Sequence, residues 1–247
     1  MCLSLSWVVN LWTEFYTATG VLKKSGWAKY APLTNHDLDT PYSSTDVELI
    51  AQKLGVERVI FEHRERTGAP NSGTLYVPTR GEELILQCLF RVTGTQSEEV
   101  RKTAINIQWE ELSVPTMHPL LCLEGKVACL FTHLQAGRQD EKHVRLSVLN
   151  LNARLKERML LGDEMRCEKI LTRVINLLVK RESFRLFHEF EIQLEDSIPM
   201  KEMEVSSLPK IQGFMKTEWP RRKARLDQDR ETFIRNTPLG PSPGIGI

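Results

Sequence analysis

The chain has 247 residues, of which 41% are hydrophobic and 26% are charged, and these are the proportions of an ordinary globular protein. Its 33 Lys and Arg residues nearly balance its 32 Asp and Glu residues, which leaves a formal net charge of +1. Such a chain has no overall field to attract nucleic acid or an anionic membrane, so any site for a polyanion must be local.

The cysteines, histidines and apolar runs argue against a disulfide framework, a histidine metal site and a membrane span. The five cysteines are odd in number and scattered, which indicates free thiols in a reducing compartment. The six histidines form no HExxH or comparable metal-binding pattern. The apolar start, residues 1–12, is too short to span a bilayer, and the apolar run 119–134 is interrupted by Glu124 and Lys126. We therefore expect a cytoplasmic protein without a membrane-spanning segment.

Helical spacing of apolar and aromatic residues predicts a first helix over residues 7–18. A strand is predicted over residues 33–39. It is followed by a helix in which Thr45 and Glu48 have capping-box spacing and Gly55 is the expected stop.

Three β-type runs follow, over residues 57–63, 73–77 and 83–92, and a turn-rich segment joins the first two. Because side chains alternate along a strand, Gln87 falls on the face opposite the predicted core residues Leu84, Leu86, Cys88, Phe90 and Val92. Residues 105–109 also alternate, which predicts a further half-exposed strand.

From His118 onward the hydrophobic period changes from two residues to about 3.6, which predicts helices. One helix begins at Pro119. A second is expected to bury Val144, Val148, Leu151, Leu155 and Met159, and a third Cys167, Ile170, Leu171, Val174 and Leu178. Pro and Gly are frequent in residues 236–247, which predicts a disordered end.

The predicted fold is therefore α/β of the α+β kind: a small mixed sheet followed by a C-terminal helical bundle. We expect an α/β domain over residues 1–114 and a helical bundle packed on it over residues 115–200. Residues 201–247 are expected to form an extended or helical tail.

Asp37 and Asp39 are the first candidates for chemistry. They are two residues apart on a predicted strand, so both carboxylates project from one face and can share a hard cation such as Mg²⁺. The spacing alone does not decide the function, because Asp-x-Asp occurs often by chance and most such pairs are simply solvated.

The order of these elements resembles the nucleotidyltransferase superfamily. Three segments carry the resemblance: Val8–Trp12, Leu33–Asp39 and His118–Arg138. Within the superfamily the chain is similar to small bacterial nucleotidyltransferase-like proteins that include toxins of type IV toxin–antitoxin pairs.

The resemblance implies Mg²⁺-dependent transfer of a nucleotide from a nucleoside triphosphate to an RNA or protein acceptor, and for a toxin an antitoxin partner. In that family a glycine turn at a helix N-terminus holds the triphosphate, and three carboxylates on two strands bind Mg²⁺. Carried onto this chain, Asp37 and Asp39 are metal-binding and catalytic, and Gln87 occupies the third catalytic position. The implied nucleotide-binding residues are Ser6, Lys126 and Arg138.

The sequence departs from the family pattern at two places. Ser6 and Trp7 stand where the glycine turn is expected, and Trp7 brings a bulky side chain where backbone must approach phosphate closely. Gln87 stands where a third carboxylate is expected, with Glu83 four residues away on the same face. The chain also begins just before the turn, as though the first element of the family were missing. An active transferase and a catalytically inactive nucleotide- or protein-binding remnant therefore both stay open.

A third hypothesis, nucleic-acid binding, rests on the basic run 220–225 beside Trp219. Acidic residues at 227, 229 and 231 dilute its charge, which favours a solvated helix start or tail. Lys126 and Arg138 have structural alternatives too: a surface-reaching helix lysine and a charge at a helix C-terminus.

Overall fold

A computed structural model describes residues 6–31, 37–40, 44–61, 71–78, 83–89, 92–109, 112–132 and 139–237. In this part of the chain, helices and two small β-sheets form a mixed α+β structure, which confirms the expected class. The chain divides into two compact units, Met1–Asn150 and Leu151–Ile247. They are called the first and the second unit below.

The first helix, α1, spans Ser6–Ala18 and confirms the prediction. Its apolar face is deeply buried. Trp12 stacks on Tyr16 with ring centroids 5.2 Å apart, and its indole nitrogen donates a hydrogen bond of 2.9 Å to the Met117 carbonyl. Because a buried indole N–H needs an acceptor, this bond fixes α1 against the segment around Met117.

Four strands form the larger sheet in the order β1-β4-β3-β2. The strands are β1 (Asp37–Thr40), β2 (Val59–Phe61), β3 (Asn71–Pro78) and β4 (Glu83–Leu89). β1 runs parallel to β4, whereas the other neighbouring pairs are antiparallel. A parallel pair needs a long crossover, which here includes a helix and two strands.

That helix, α2 (Ser44–Leu54), covers one face of the sheet. Its residues Val47 and Ala51 share a hydrophobic cluster with Leu75, Leu86 and Cys88 of the strands. The helix ends as predicted: Gly55 has φ +64°, where a β-carbon would be strained. The predicted strand residues 33–36, 62–63 and 90–91 and the predicted turn before β3 lie outside the described residues.

The smaller sheet pairs β5 (Ile105–Trp109) with β6 (Leu112–Thr116) in antiparallel register, after a short helix α3 (Ser97–Lys102). β5 is the predicted half-exposed strand, with Ile107 buried. β6 was not predicted, and it contains a proline, Pro115. In a two-stranded sheet both strands are edges, so a proline is tolerated there.

Two long helices follow, α4 (Pro119–Thr132) and α5 (Asp140–Leu160). α4 begins at Pro119, as predicted, and buries most of its surface. The boundary between the two units falls inside α5, after Asn150.

The second unit is helical in its described part. After α5 it contains α6 (Glu164–Leu178), α7 (Arg181–Phe190), α8 (Met200–Glu204), α9 (Pro209–Gly213), a π-helix (Phe214–Glu218) and α10 (Trp219–Asn236). The apolar set predicted for α6 is buried. The Asp163 side chain caps α6 by accepting a hydrogen bond from the Arg166 amide.

One buried ion pair stands out among the apolar contacts of the second unit. Arg230 of α10 pairs with Glu195, which lies in a 3₁₀ turn, Leu194–Ser197. The Arg230 guanidinium also lies 4.4 Å from the centre of the Phe187 ring. A cation over an aromatic face is attracted to the ring, and Asp227 also lies 3.9 Å from the guanidinium, so three partners share this buried charge.

No helix in the described ranges is long and apolar enough to cross a membrane. Residues 238–247, most of the segment predicted to be disordered, lie outside these ranges.

Candidate functional site

The three predicted catalytic residues lie on the parallel strand pair of the first unit. Asp37 is in register with Ile85, and Asp39 is in register with Gln87. Residues that pair across adjacent strands share one face of a sheet, so positions 37, 39 and 87 belong to the same face. The Asp37 and Asp39 side chains lie outside the described part, whereas Gln87 is half-buried.

The opposite face of this sheet is closed by α2. Leu86 and Cys88 point into the cluster beneath that helix. Burial, and secondarily the charge of Asp46, raises the pKa of the Cys88 thiol to about 12, so this thiol stays protonated and unreactive near neutral pH. Chemistry on β4 therefore has to use the face of Gln87.

A polar residue that sequence reasoning missed extends this face. Thr74 of β3 pairs with Gln87 on the side away from Asp39 and is buried. The register thus forms a polar row, Asp39–Gln87–Thr74, across three strands. Alternation along 73–77 could have assigned Thr74 to this face, but only the pairing of β3 with β4 identifies its neighbour.

The predicted phosphate-binding residue Ser6 begins α1, and α1 contacts β1. Its side chain lies outside the described part. Asn10, one turn further along the helix, is buried, and its amide oxygen has no hydrogen-bond partner among the described residues. A buried polar atom without a partner is unusual in a folded protein, and such an atom is available to a ligand.

Lys126, the second predicted nucleotide-binding residue, lies in α4 and is only 1% exposed. Its ammonium nitrogen is 3.6 Å from the Asp140 carboxylate at the start of α5, and Asp140 is also buried. This burial excludes the alternative in which the Lys126 ammonium reaches the surface. A buried pair of charges costs desolvation that an apolar pair would not, so its presence is weak evidence for stability.

Asp140 was missed by sequence reasoning. It lies on a different helix from Lys126, so no short spacing links the two residues. It also begins a polar stripe on α5 that is buried along its length: Asp140, His143, Ser147 and Asn150. Steps of three or four residues place these side chains on one helix face.

The far end of this stripe contacts α1. The Asn150 amide donates a hydrogen bond of 2.9 Å to the Val9 carbonyl, and the Thr13 hydroxyl donates one of 3.1 Å to the Asn150 side-chain oxygen. α1 thus contacts β1 and is hydrogen-bonded to the helix that carries Asp140. Through α1 and α5, Asp39 and Lys126 belong to one connected set of elements in the first unit.

The side chains at this sheet face carry oxygen donors that suit a metal ion. Carboxylate and amide oxygens, as at positions 37, 39 and 87, are ligands that Mg²⁺ accepts. Among the side chains that the structure describes, no group of three or more His, Cys, Asp or Glu residues could hold a metal. Asp37 and Asp39 are outside that search, and Arg138 lies in the segment 133–138 that is not described.

The basic run of α10 lacks an accessible aromatic side chain. Trp219 is 9% exposed and packs on Phe214, with ring centroids 6.2 Å apart. Arg222 and Lys223 form ion pairs with Glu218 and Asp227. Single-stranded nucleic acids stack their bases on exposed aromatic rings, so Trp219 cannot serve in that way.

No family model matches the sequence, and no curated protein or solved structure gives a significant match. The chemistry of the site is therefore inferred from its own residues.

Proposed function

We propose that the first unit is a nucleotidyltransferase-type domain that binds a nucleoside triphosphate with Mg²⁺ on the sheet face of Asp37, Asp39 and Gln87. The observation that carries this proposal is the parallel register of β1 with β4, which sets Asp39 beside Gln87 on the face opposite α2. Two acidic positions on one strand and a ligand position on the next are what the family resemblance implies.

Each residue has a defined role in this proposal. Asp37 and Asp39 hold the cation, and the Gln87 amide oxygen is a neutral third ligand. The bound cation would neutralise charge on the phosphates. Ser6 donates a hydrogen bond to phosphate from the start of α1. Lys126 supplies a positive charge, which Asp140 positions from α5.

Nucleotidyl transfer to an RNA or protein acceptor, as in a toxin, is the full activity that the resemblance implies. Gln87 favours slower nucleotidyl transfer than this full activity. Asp37 and Asp39 supply two negative charges where the family pattern has three, so activation of the acceptor hydroxyl loses a charged ligand. We therefore propose that nucleotide binding is retained and that transfer is slow or absent, as in a catalytically inactive member.

The test is thermal unfolding with and without nucleoside triphosphate and Mg²⁺, followed by an assay for pyrophosphate release. Ligand that binds only the folded state raises the melting temperature. We expect a rise for the unmodified chain, its loss in Asp39→Asn, and its retention in Glu48→Gln, which changes an exposed carboxylate on α2. Gln87→Asp should increase pyrophosphate release.

Two results would oppose the proposal. If none of the four common nucleoside triphosphates raises the melting temperature, the sheet face does not bind nucleotide. If the unmodified chain labels an acceptor rapidly and Asp37→Ala abolishes the labelling, the third carboxylate is dispensable and the chain is an active transferase.

A further inference from the structure

A cavity of about 370 Å³ lies in the second unit, between the end of α6 and the first half of α10. α6 contributes Leu178 and the residue after it, Val179, and α10 contributes Trp219, Arg222, Arg225 and Leu226. Small-molecule sites usually have volumes of roughly 300–1,000 Å³, so the cavity is large enough for a compact ligand.

The floor of the cavity is apolar and belongs to the core. Leu178, Leu226 and Trp219 are buried, whereas Val179 is 51% exposed at the mouth. Side chains that already pack in a core need little rearrangement when a ligand enters. The cavity is therefore preformed, and its floor fits a hydrocarbon or aromatic group.

The geometry of α10 arises from the π-helix before it, Phe214–Glu218. Single π-helical turns are rare and occur often at functional sites, because the wider turn changes the face that the following residues present. Here Trp219, Arg222 and Leu226 follow at helical spacing and share the cavity face.

The rim of the cavity is positively charged. Arg222 pairs with Glu218 at 3.0 Å, and Arg225 lies 3.8 Å from Asp229, which also lines the cavity. Both pairs are exposed, and such pairs are weak. A guanidinium has five N–H donors, so one carboxylate partner leaves donors for a second anion. Residues 220–226 contain four basic residues and no acidic one.

We propose that this cavity binds a small amphiphilic anion, a medium-chain monocarboxylate, with its apolar chain on the floor and its carboxylate on Arg222 and Arg225. Arginine and carboxylate match in geometry, and their hydrogen bonds are strong because both groups are charged. The proposal concerns the second unit alone and does not depend on nucleotide binding by the first.

The experiment is isothermal titration of the full chain with decanoate below its micellar concentration. Decan-1-ol, which has the same chain without charge, and decyltrimethylammonium, which has the opposite charge, are the comparison ligands. We expect saturable binding of one decanoate and binding of decanol that is weaker by about tenfold or more, since a charged contact of ordinary strength is worth about one decade.

Three variants assign the site. Arg222→Gln/Arg225→Gln should weaken decanoate binding about tenfold while leaving decanol binding unchanged. Arg221→Gln, an exposed basic residue on the same helix that does not line the cavity, is the matched control and should change neither. Val179→Trp fills the mouth from an exposed position and should abolish binding without lowering the melting temperature.

The proposal is overturned if decanoate does not bind, if decanol binds equally well, or if the double variant behaves like Arg221→Gln. It is also overturned if an acidic peptide competes with decanoate and binds more tightly, because the cavity would then bind a protein partner.

Discussion

The two units bury polar groups in different ways. In the first unit a stripe on α5, from Asp140 to Asn150, is buried against α1 and Lys126. In the second unit the buried surface of α6 is apolar, and buried charges lie in ion pairs such as that of Arg230 with Glu195. Burying polar groups costs desolvation that apolar packing avoids, so a long polar stripe is a cost that function can explain. The pair in the second unit has a structural explanation, because Phe187 also supports it.

The largest effect is expected at Arg230. Arg230→Ala removes the cation that pairs with Glu195 and lies over the Phe187 ring, and it leaves a buried carboxylate without its partner. The free energy of unfolding should fall by about 3–5 kcal/mol, the usual range for one broken partner of a buried pair. Urea denaturation measures it.

Arg225→Ala is the matched control for Arg230→Ala. Arg225 lies on the same helix, and its ion pair with Asp229 is exposed, so its loss should change stability by less than about 1 kcal/mol. If the two variants lower the free energy of unfolding equally, the buried pair stabilises the second unit no more than an exposed pair does.

The next effect is expected at Lys126. Lys126→Met removes the ammonium that lies 3.6 Å from the buried Asp140 carboxylate, and at this distance we expect the low end of the range for a broken buried pair, about 3 kcal/mol. Lys126→Met/Asp140→Val removes both charges. Since apolar replacement of a buried pair is often neutral or stabilising, the double variant should recover most of the stability and yet fail to bind nucleotide.

This double variant separates the two explanations of the stripe. Recovered stability with lost nucleotide binding assigns the pair to function. If the double variant is as unstable as Lys126→Met, the pair is structural, and the contrast between the units disappears.

Two asparagines of α5, two residues apart, give a smaller and closely matched comparison. Asn150→Ala removes two buried hydrogen bonds to α1 and leaves the Val9 carbonyl without this donor, so we expect a loss of about 1–3 kcal/mol. Asn152→Ala removes one exposed hydrogen bond of 2.8 Å, to the Asp196 carbonyl, and should cost about 0.5–1 kcal/mol. Thermal and urea unfolding measure both. If Asn152→Ala lowers stability more than Asn150→Ala, the hydrogen bonds of Asn150 to α1 do not stabilise the position of α1.

Local periodicity predicts α1, α2 and the helices α4 to α6, because their buried faces repeat at fixed spacing, but it predicts neither β6 nor the separate helices after α6. Periodicity does not identify contacts between residues that lie far apart in the sequence. The pairing of Lys126 with Asp140 joins two helices, and the bonds of Asn150 to α1 span 137 and 141 residues. We expected domains over residues 1–114 and 115–200, and the chain forms two compact units, Met1–Asn150 and Leu151–Ile247. The π-helix before Trp219 lies in the segment expected only to be an extended or helical tail, so it was not predicted.

The smallest effect concerns a second carboxylate beside the Arg230–Glu195 pair. Burial, and then the negative charge of Glu195, raises the pKa of the Asp196 carboxyl above its usual value of 3.8. A carboxyl whose pKa is higher in the folded state binds its proton more tightly there, so its ionisation opposes folding once the pH exceeds the unfolded value. Asp196→Asn removes that penalty. It should stabilise the protein at pH 7 by no more than a few tenths of a kcal/mol, because the residue is largely exposed and solvent screens its charge. The gain should vanish near pH 3, where the carboxyl is protonated in both states, and urea unfolding at the two pH values measures it. A destabilised Asp196→Asn at pH 7 would show that Arg230 serves both carboxylates, and the buried charge of the second unit would then be a network comparable to the stripe on α5.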